Sequence, residues 1–233
     1  MAKIIFSGIG ITEMRGKLGN EVFTRGRGGA MARAYVVPTN TITANRTLVR
    51  SYWADANSLW ASVDEFQLKF WEQLNARVFG KSKVGNRFKM STRNLFVKCN
   101  YNLLCSDNSP ILAPDPLSPY YMAKSIVIEN LTDTDFSVTV TFPEFGTTVP
   151  DDHVLVISCS PCVSPSINYA RNFFLRAAFL SAGDPCNNYD FYSRFFAIHG
   201  TPVTGQKIFV RAYAVNVLNG LASKPVQSFA IVA

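Results

Sequence analysis

Apolar and polar residues repeat with two different periods along this chain, and the change falls near residue 122. From Met122 onward the period is two. Short runs rich in β-branched and aromatic residues (SIVIEN, DFSVTVTF, HVLVISCS, NFFLRAAF, YDFYSRFFAI, KIFVRAYAV and VQSFAIV) are separated by Asn, Asp, Gly and Pro clusters. Seven short strands at this spacing predict a β-sandwich over residues 122–233.

Upstream the period is helical. Leu48, Tyr52, Ala56 and Leu59 recur at helical spacing, and Val49, Trp53 and Trp60 widen the stripe. Ser62, followed three residues later by Glu65, reads as a capping box that opens a second helix. In that helix Phe66, Phe70 and Leu74 form one stripe, Trp71 and Val78 a neighbouring one, and Gly80 marks the end. The short gap between the two helices predicts an antiparallel αα-hairpin, with Trp53, Trp60 and Trp71 as core packing between them. Ser91 caps a third short helix on which Leu95, Cys99 and Leu103 share a face. Residues 39–105 are thus expected as a helical domain. The stretch SDNSPILAPDPLSPYY follows, and its prolines, Pro110, Pro114, Pro116 and Pro119, mark residues 106–121 as a stiff linker.

Residues 1–38 have a third character. GKLGNEVFTRGRGGAMARAYVVP offers two extended segments, Glu21 to Arg25 and Ala30 to Val37, around Gly26, Gly28 and Gly29, with Pro38 closing them. A two-stranded hairpin alone is marginal in water, so this one must lie on its own core or on another chain. The expected fold class is therefore α+β: an extended β-hairpin arm, an αα-hairpin with a third short helix, then a seven-stranded immunoglobulin-like sandwich. The last two runs support that final term. VRAYAVNVLNGLASKPVQSF resembles the closing hairpin of fibronectin type III and related immunoglobulin-like domains, with an aromatic-bearing strand, a turn at Asn219 and Gly220, and Ser223 entering the final strand.

Composition and charge sharpen the picture. The chain is 48% hydrophobic and 13% aromatic with only 17% charged residues, little charge for a solvated monomer, which implies surface reserved for neighbours. Residues 1–100 hold 16 Lys+Arg against 6 Asp+Glu, net +10, whereas residues 101–233 hold 7 against 10, net −3. The two regions are expected to meet different partners. No apolar run reaches the roughly 18 residues that span a bilayer. MAKIIFSGIGITEM lacks a signal peptide's long apolar stretch and cleavage site, so no membrane partner and a cytosol-like place of synthesis are expected. Five cysteines without framework spacing (Cys99, Cys105, Cys159, Cys162 and Cys186) read as buried free thiols.

The sequence carries no enzyme signature. GITEMRGK, residues 10–17, fails as a phosphate loop because five residues separate Gly10 from Gly16 and Leu18 stands where a magnesium-binding hydroxyl is needed. Gly8 and Gly10 have no third glycine at dinucleotide-binding spacing. Cys159 and Cys162 form a single CxxC at a strand end, with only His153 and His199 as further imidazoles, which is no zinc framework. The histidines lack a nucleophile motif, and Asp151 and Asp152 sit in a proline-flanked bend. No cofactor, metal or small-molecule substrate is implied.

What remains is a set of cations. Arg15, Lys17, Arg25, Arg27 and Arg33 punctuate the arm beside Phe23 and Tyr35, and Lys81, Lys83, Arg87, Lys89 and Arg93 follow the second helix. Such sets fit an acidic protein surface, or phosphates with Phe23, Tyr35 and Phe88 stacking on bases. Their spread over turns and strand alternation favours protein.

The order GKLGNEVFTRGRGGAMARAYVVPTNTITANRTLVRSYWADANSLWASVDEFQLKFWEQLN resembles a poorly characterised family of tailed bacteriophages, prophages and Bacteroidota. Its pattern is a glycine-rich segment ending in Arg33 and Pro38, then Arg50, Trp53 and Trp60 on one helix and Gln67 and Trp71 on the next. GNRFKMSTRNLFVKCNYNLL is similar too, and Asn45 stands in place of a glutamine. The resemblance implies no known activity. Taken with the arm and the sandwich, it leads to the expectation of a virion protein made in a bacterial host's cytoplasm, with other capsid or head-tail proteins and further copies of itself as partners. The arm and the sandwich together lead us to expect a structural protein that decorates or cements a capsid, or sits at a head-tail joint, and docks through residues 16–38. A nucleic-acid-binding protein is the first alternative. A tail carbohydrate-binding module using Asp184, Asp190 and the tyrosines of NNYDFYSRFF is the second.

Overall fold

A computed structural model describes residues 2–3, 15–26, 29–36, 43–81, 87–168 and 174–233. The chain forms two compact units, Met1–Ala44 and Asn45–Ala233.

The first unit is one antiparallel sheet. β1 (Ala2–Lys3), β2 (Gly16–Leu18), β3 (Glu21–Gly26) and β4 (Gly29–Ala34) lie in the order β1-β4-β3-β2. The β3–β4 hairpin was expected; the flanking strands were not, because two- and three-residue strands carry no readable alternation. Gly19, at φ +58, makes the turn from β2 into β3, a conformation that favours glycine. Arg27, Gly28 and Val37, part of the expected hairpin, lie outside the described residues.

The second unit begins with helices. α1 (Ala44–Ser58) runs into a 3₁₀ turn, Leu59–Ser62, and α2 (Glu65–Arg77) follows. Ser62 is not the cap of α2, since its hydroxyl donates to the Leu59 carbonyl within the 3₁₀ turn. Asp64 caps instead. Its carboxylate accepts from the Gln67 N–H at 2.7 Å, and the Gln67 side chain accepts from the Asp64 N–H at 3.1 Å, a reciprocal box two residues later than expected. The helix ends at Arg77, and Gly80 belongs to a small ladder of β5 (Gly80–Lys81) and β6 (Arg87–Phe88). Ser91 caps α3 (Thr92–Cys105) as the sequence predicts, accepting from the Asn94 N–H.

The helices pair differently from the expected hairpin. α2 packs chiefly on α3, which also receives the 3₁₀ turn. Trp71 and Phe96 are fully buried with their rings edge to face at 5.0 Å, and Trp60 meets the same Phe96 at 5.2 Å. Trp53 is no core residue: it is 44% exposed and stacks on Tyr101 of α3 at 4.8 Å. Leu48 and Val49 of α1 are likewise exposed, and of its stripe Ala56 is the residue that joins Trp71 and Leu74 of α2 in a buried core.

The proline-rich segment is bonded on both sides rather than acting as a free spacer. Trp71 Nε1 donates to the Leu112 carbonyl at 2.7 Å, and buried Asn100 accepts from the Ile111 N–H at 2.7 Å. Farther along, Asn216 Nδ2 donates to Ser118 Oγ and the Pro119 carbonyl, and the Asp115 N–H donates to the Leu218 carbonyl. Proline bars regular helix and ladder bonding here, and these bonds satisfy several of the polar groups the segment presents.

Beyond it lie two antiparallel sheets. One joins β7 (Ser125–Leu131), β8 (Phe136–Thr141) and β11 (Tyr189–Asp190) in the order β11-β8-β7; the other joins β9 (His153–Cys159), β10 (Leu175–Leu180), β12 (Lys207–Asn216) and β13 (Val226–Ile231) in the order β10-β9-β12-β13. Ile126, Val138 and Val140 from the first sheet share one buried core with Leu155, Ile157, Val210 and Ala212 from the second. The run YDFYSRFFAI, expected as a strand, yields only β11 and then α4 (Tyr192–His199). Phe191 and Phe195, both fully buried, stand four apart, and Asp190 accepts from the Tyr192 N–H at the helix start. The period there is helical, and a cluster of aromatics concealed it.

α3 lies on the outer face of the four-stranded sheet, where Leu103 joins Val156 and Val215 in a small second core. Gly220, in the β12–β13 connection, comes closest to the helix. It holds φ +71, and a Cβ built there would stand 2.6 Å from the Cys99 carbonyl oxygen. Gly220→Ala should therefore cost about 3 kcal/mol or more, combining left-handed strain with displacement of helix backbone. Gly205→Ala provides the comparison, because Gly205 has φ +79 and open space around it, so only about 1 kcal/mol is expected. Urea unfolding of the two variants checks the difference.

Candidate functional site

The arm sheet divides its side chains between two faces by strand alternation. The register Lys17↔Val22↔Arg33 sets one face, which also receives Tyr35. Lys17 Nζ lies 3.7 Å from the centre of the Tyr35 ring, a cation–π contact between β2 and the residue that follows β4. The register Gly16↔Phe23↔Ala32 sets the opposite face, and Leu18, Ala30 and Ala34 share it. The structure thus brings Lys17, Arg33 and Tyr35 together and places Phe23 on the other side. Arg15 precedes β2 and is exposed; Arg25 belongs to β3 by its backbone, and Arg27 lies outside the described residues.

None of the described arm side chains is buried. Val22, Phe23, Thr24, Ala30, Met31 and Ala32 are half-buried, the others exposed, with Leu18 at 65% and Val36 at 74%. By these registers Lys17 and Arg33 share their face with Val22, Thr24 and Met31, and the alanines and Phe23 share theirs with Glu21.

The second basic set is split as well. Lys81 and Arg87 are paired by backbone register in the β5–β6 ladder. Lys83 lies outside the described residues. Lys89 is exposed ahead of α3, and Arg93 is exposed in the first turn of α3, where a helix disfavours positive charge. These placements concentrate charge that an acidic or phosphate-bearing partner would relieve.

Other groups with chemical potential prove structural. The five cysteines are free, four of them buried, and burial pushes the Cys99 and Cys159 thiols up to about 12 and the Cys186 thiol up to about 11, far from thiolate reactivity. Among the described residues no group of His, Cys, Asp and Glu is arranged to hold a metal ion. Asp184 accepts from the Ser181 N–H and Asp190 from the Tyr192 N–H, so both carboxylates of the expected carbohydrate site serve local turns. No helix among the described residues is long and apolar enough to cross a membrane.

Sequence reasoning missed one polar row. The β10–β9–β12 register sets Arg176, Ser158 and Arg211 side by side on the outer face of the four-stranded sheet. Its only sequence signal is an arginine inside each of two apolar strand runs.

His153 is buried, donates from Nδ1 to the Asp151 carbonyl at 2.7 Å, and leaves Nε2 without a partner among the described residues. Burial lowers its pKa, against the opposing pull of Asp151 and Asp152, and burial lowers that of His199 in the same way. A depressed histidine contributes stability that is present above the unfolded value, about 6.5, and lost as pH falls through the folded one. Urea midpoints should therefore drop between pH 7.5 and pH 5, and His153→Gln should shrink that drop. No known family model matches the chain, and neither does any curated protein or solved structure.

Proposed function

We propose that the chain is a non-enzymatic structural protein of a bacteriophage virion, decorating or cementing the capsid or joining head to tail, with the arm docking on neighbouring subunits. The observation that carries this reading is the arm sheet, four strands with no buried residue among those described. A sheet needs an apolar face covered to be stable, so this one calls for a surface from outside itself. Phe23 and the alanine face suit close packing on a partner, and Lys17 and Arg33 suit orientation against acidic groups. For the body we propose an immunoglobulin-like module of the fibronectin type III kind, supported by three plus four antiparallel strands around one core. Copies of the same chain are the first partners to consider, with capsid or head-tail proteins beside them.

Nucleic acid is the second reading, and the exposed cations Lys89 and Arg93 at the start of α3, with no acidic residue in its first turn, are the observation that favours it. Light scattering on nuclease-treated full chain, on residues 45–233, and on the variants Phe23→Asp and Arg33→Glu separates the two. Assembly of the full chain, at least tenfold weakened by Phe23→Asp and absent without the arm, is the expected outcome. Monomers throughout, with nucleic acid retained at low salt and released steeply as salt rises, would replace the first reading by the second.

A further inference from the structure

The surface charge of the sandwich differs from its net charge. All ten carboxylates from residue 101 onward are exposed. Of the seven cations in the same stretch, three are engaged inside the protein. Arg176 donates to the Cys105 carbonyl at 3.2 Å, buried Lys207 donates to the Ile167 carbonyl at 3.1 Å and to Asn168 Oδ1 at 3.2 Å, and the Arg211 guanidinium lies 4.4 Å from the centre of the Phe174 ring. Arg171 lies outside the described residues, which leaves Lys124, Arg194 and Lys224 as the exposed cations among those described. The sequence count of 7 against 10 therefore understates how acidic this surface is.

The rest of the chain carries the opposite sign. Residues 1–44 hold 6 Lys+Arg against 2 Asp+Glu, and residues 45–100 hold 10 against 4. An arm brought against a second arm, or against the helical part of another copy, meets like charge, which costs affinity and slows encounter. Against the sandwich of another copy it meets opposite charge. Charge thus selects among the surfaces that a second copy offers.

One part of the acidic surface also matches the arm's apolar side chains. The Asp115 N–H donates to the Leu218 carbonyl at 3.0 Å, and the Val217 N–H to the Asp152 carbonyl at 2.7 Å. The Asp115 carboxylate accepts from the Leu117 N–H at 2.9 Å. These bonds gather the exposed residues Asp115, Asp151 and Asp152 with two leucines that reach solvent, Leu117 at 71% and Leu218 at 38% exposed. Arg77 reaches the same segment, donating to the Pro116 carbonyl at 3.0 Å, and the three carboxylates outnumber it. The arm offers the complement: Lys17 and Arg33 are exposed, as are Leu18 and Val36.

We infer that the arm's partner is a second copy of this chain, and that it docks on the patch of Asp115, Leu117, Asp151, Asp152 and Leu218 on that copy's body. This assignment rests on the docking reading of the arm and adds the receiving surface to it. The carboxylates orient the arm, and the leucines supply apolar burial that the free arm lacks.

Light scattering on nuclease-treated full-length chains tests this with the unaltered protein, an arm variant (Phe23→Asp with Arg33→Glu) and a patch variant (Asp115→Asn, Asp151→Asn and Asp152→Asn). Asparagine keeps the acceptor for the Leu117 N–H and tolerates the positive φ of residue 152, at +56. The unaltered chain is expected to self-associate at about 50 mM salt and at least roughly tenfold more weakly at about 500 mM, and each variant alone to weaken by a similar factor. Mixing the two variants should restore a complex, because the arm of one meets the patch of the other. A patch variant that assembles as well as the unaltered chain, with no gain on mixing, overturns the assignment and leaves the arm docking elsewhere. A monomeric unaltered chain also overturns it and leaves capsid or head-tail proteins as the arm's partners. An arm variant that assembles like the unaltered chain removes the docking reading as well. Assembly insensitive to salt overturns the assignment without any variant, so a patch variant that fails to fold leaves the test intact.

Discussion

Helix α3 can lie against the four-stranded sheet only because residue 220 has no side chain. Gly220 brings the β12–β13 connection into contact with the Cys99 backbone, and Asn102 then donates to the Gly220 carbonyl at 3.0 Å. The approach fixes where the helix sits, and with it the burial of Leu103 on Val156 and Val215. α2 and the 3₁₀ turn are positioned in turn, since both pack on α3. A single positive-φ glycine therefore connects the helical layer to the sheets.

The same junction is held by asparagines rather than by ion pairs. Asn216, fully buried, donates to Ser118 and Pro119 and accepts from the Leu218 and Asn219 N–H groups, so its amide is satisfied on both ends. Asn100, also fully buried, donates to the Phe96 carbonyl and accepts from Ile111. Each bond contributes only about 1 kcal/mol, but leaving one such group unpaired costs about 1–3 kcal/mol, so the network specifies one arrangement more than it adds stability.

The strands with clear alternation, from SIVIEN through VQSFAIV, were legible because a sheet with one face in a core imposes period two. α4 was not, because aromatic residues favour strands and only the burial of Phe191 and Phe195 four apart reveals the helix. Prolines 110, 114, 116 and 119 spoke for a stiff segment without regular structure, and residues 106–121 run through bends and turns with no helix or strand. Whether such a segment is free or bonded depends on distant partners such as Asn100 and Asn216. The arm's cations were visible individually. Their grouping was not, because the face that Lys17 joins depends on β2, three residues that pair with β3 and carry no pattern of their own. The Arg176–Ser158–Arg211 row needs two registers at once, and no single strand contains it.

The two units meet opposite physical conditions. The body buries large aromatic and aliphatic side chains, Trp71, Phe96, Phe136 and Phe209 among them, and can hold its sheets without help. The arm strands offer Leu18, Val22, Phe23, Met31 and small residues, and none of the described side chains is buried, so little apolar burial offsets the entropy of ordering them. On the proposed reading that shortage has a use. A sheet too weak to be secure alone gains its missing burial when it docks, so its folding and its binding draw on the same contacts. Alanines let a neighbouring backbone or sheet approach closely, and larger residues would stabilise the free arm while spoiling that fit. The basic face adds orientation at little cost, because Lys17 over Tyr35 keeps its charge near solvent until a partner arrives.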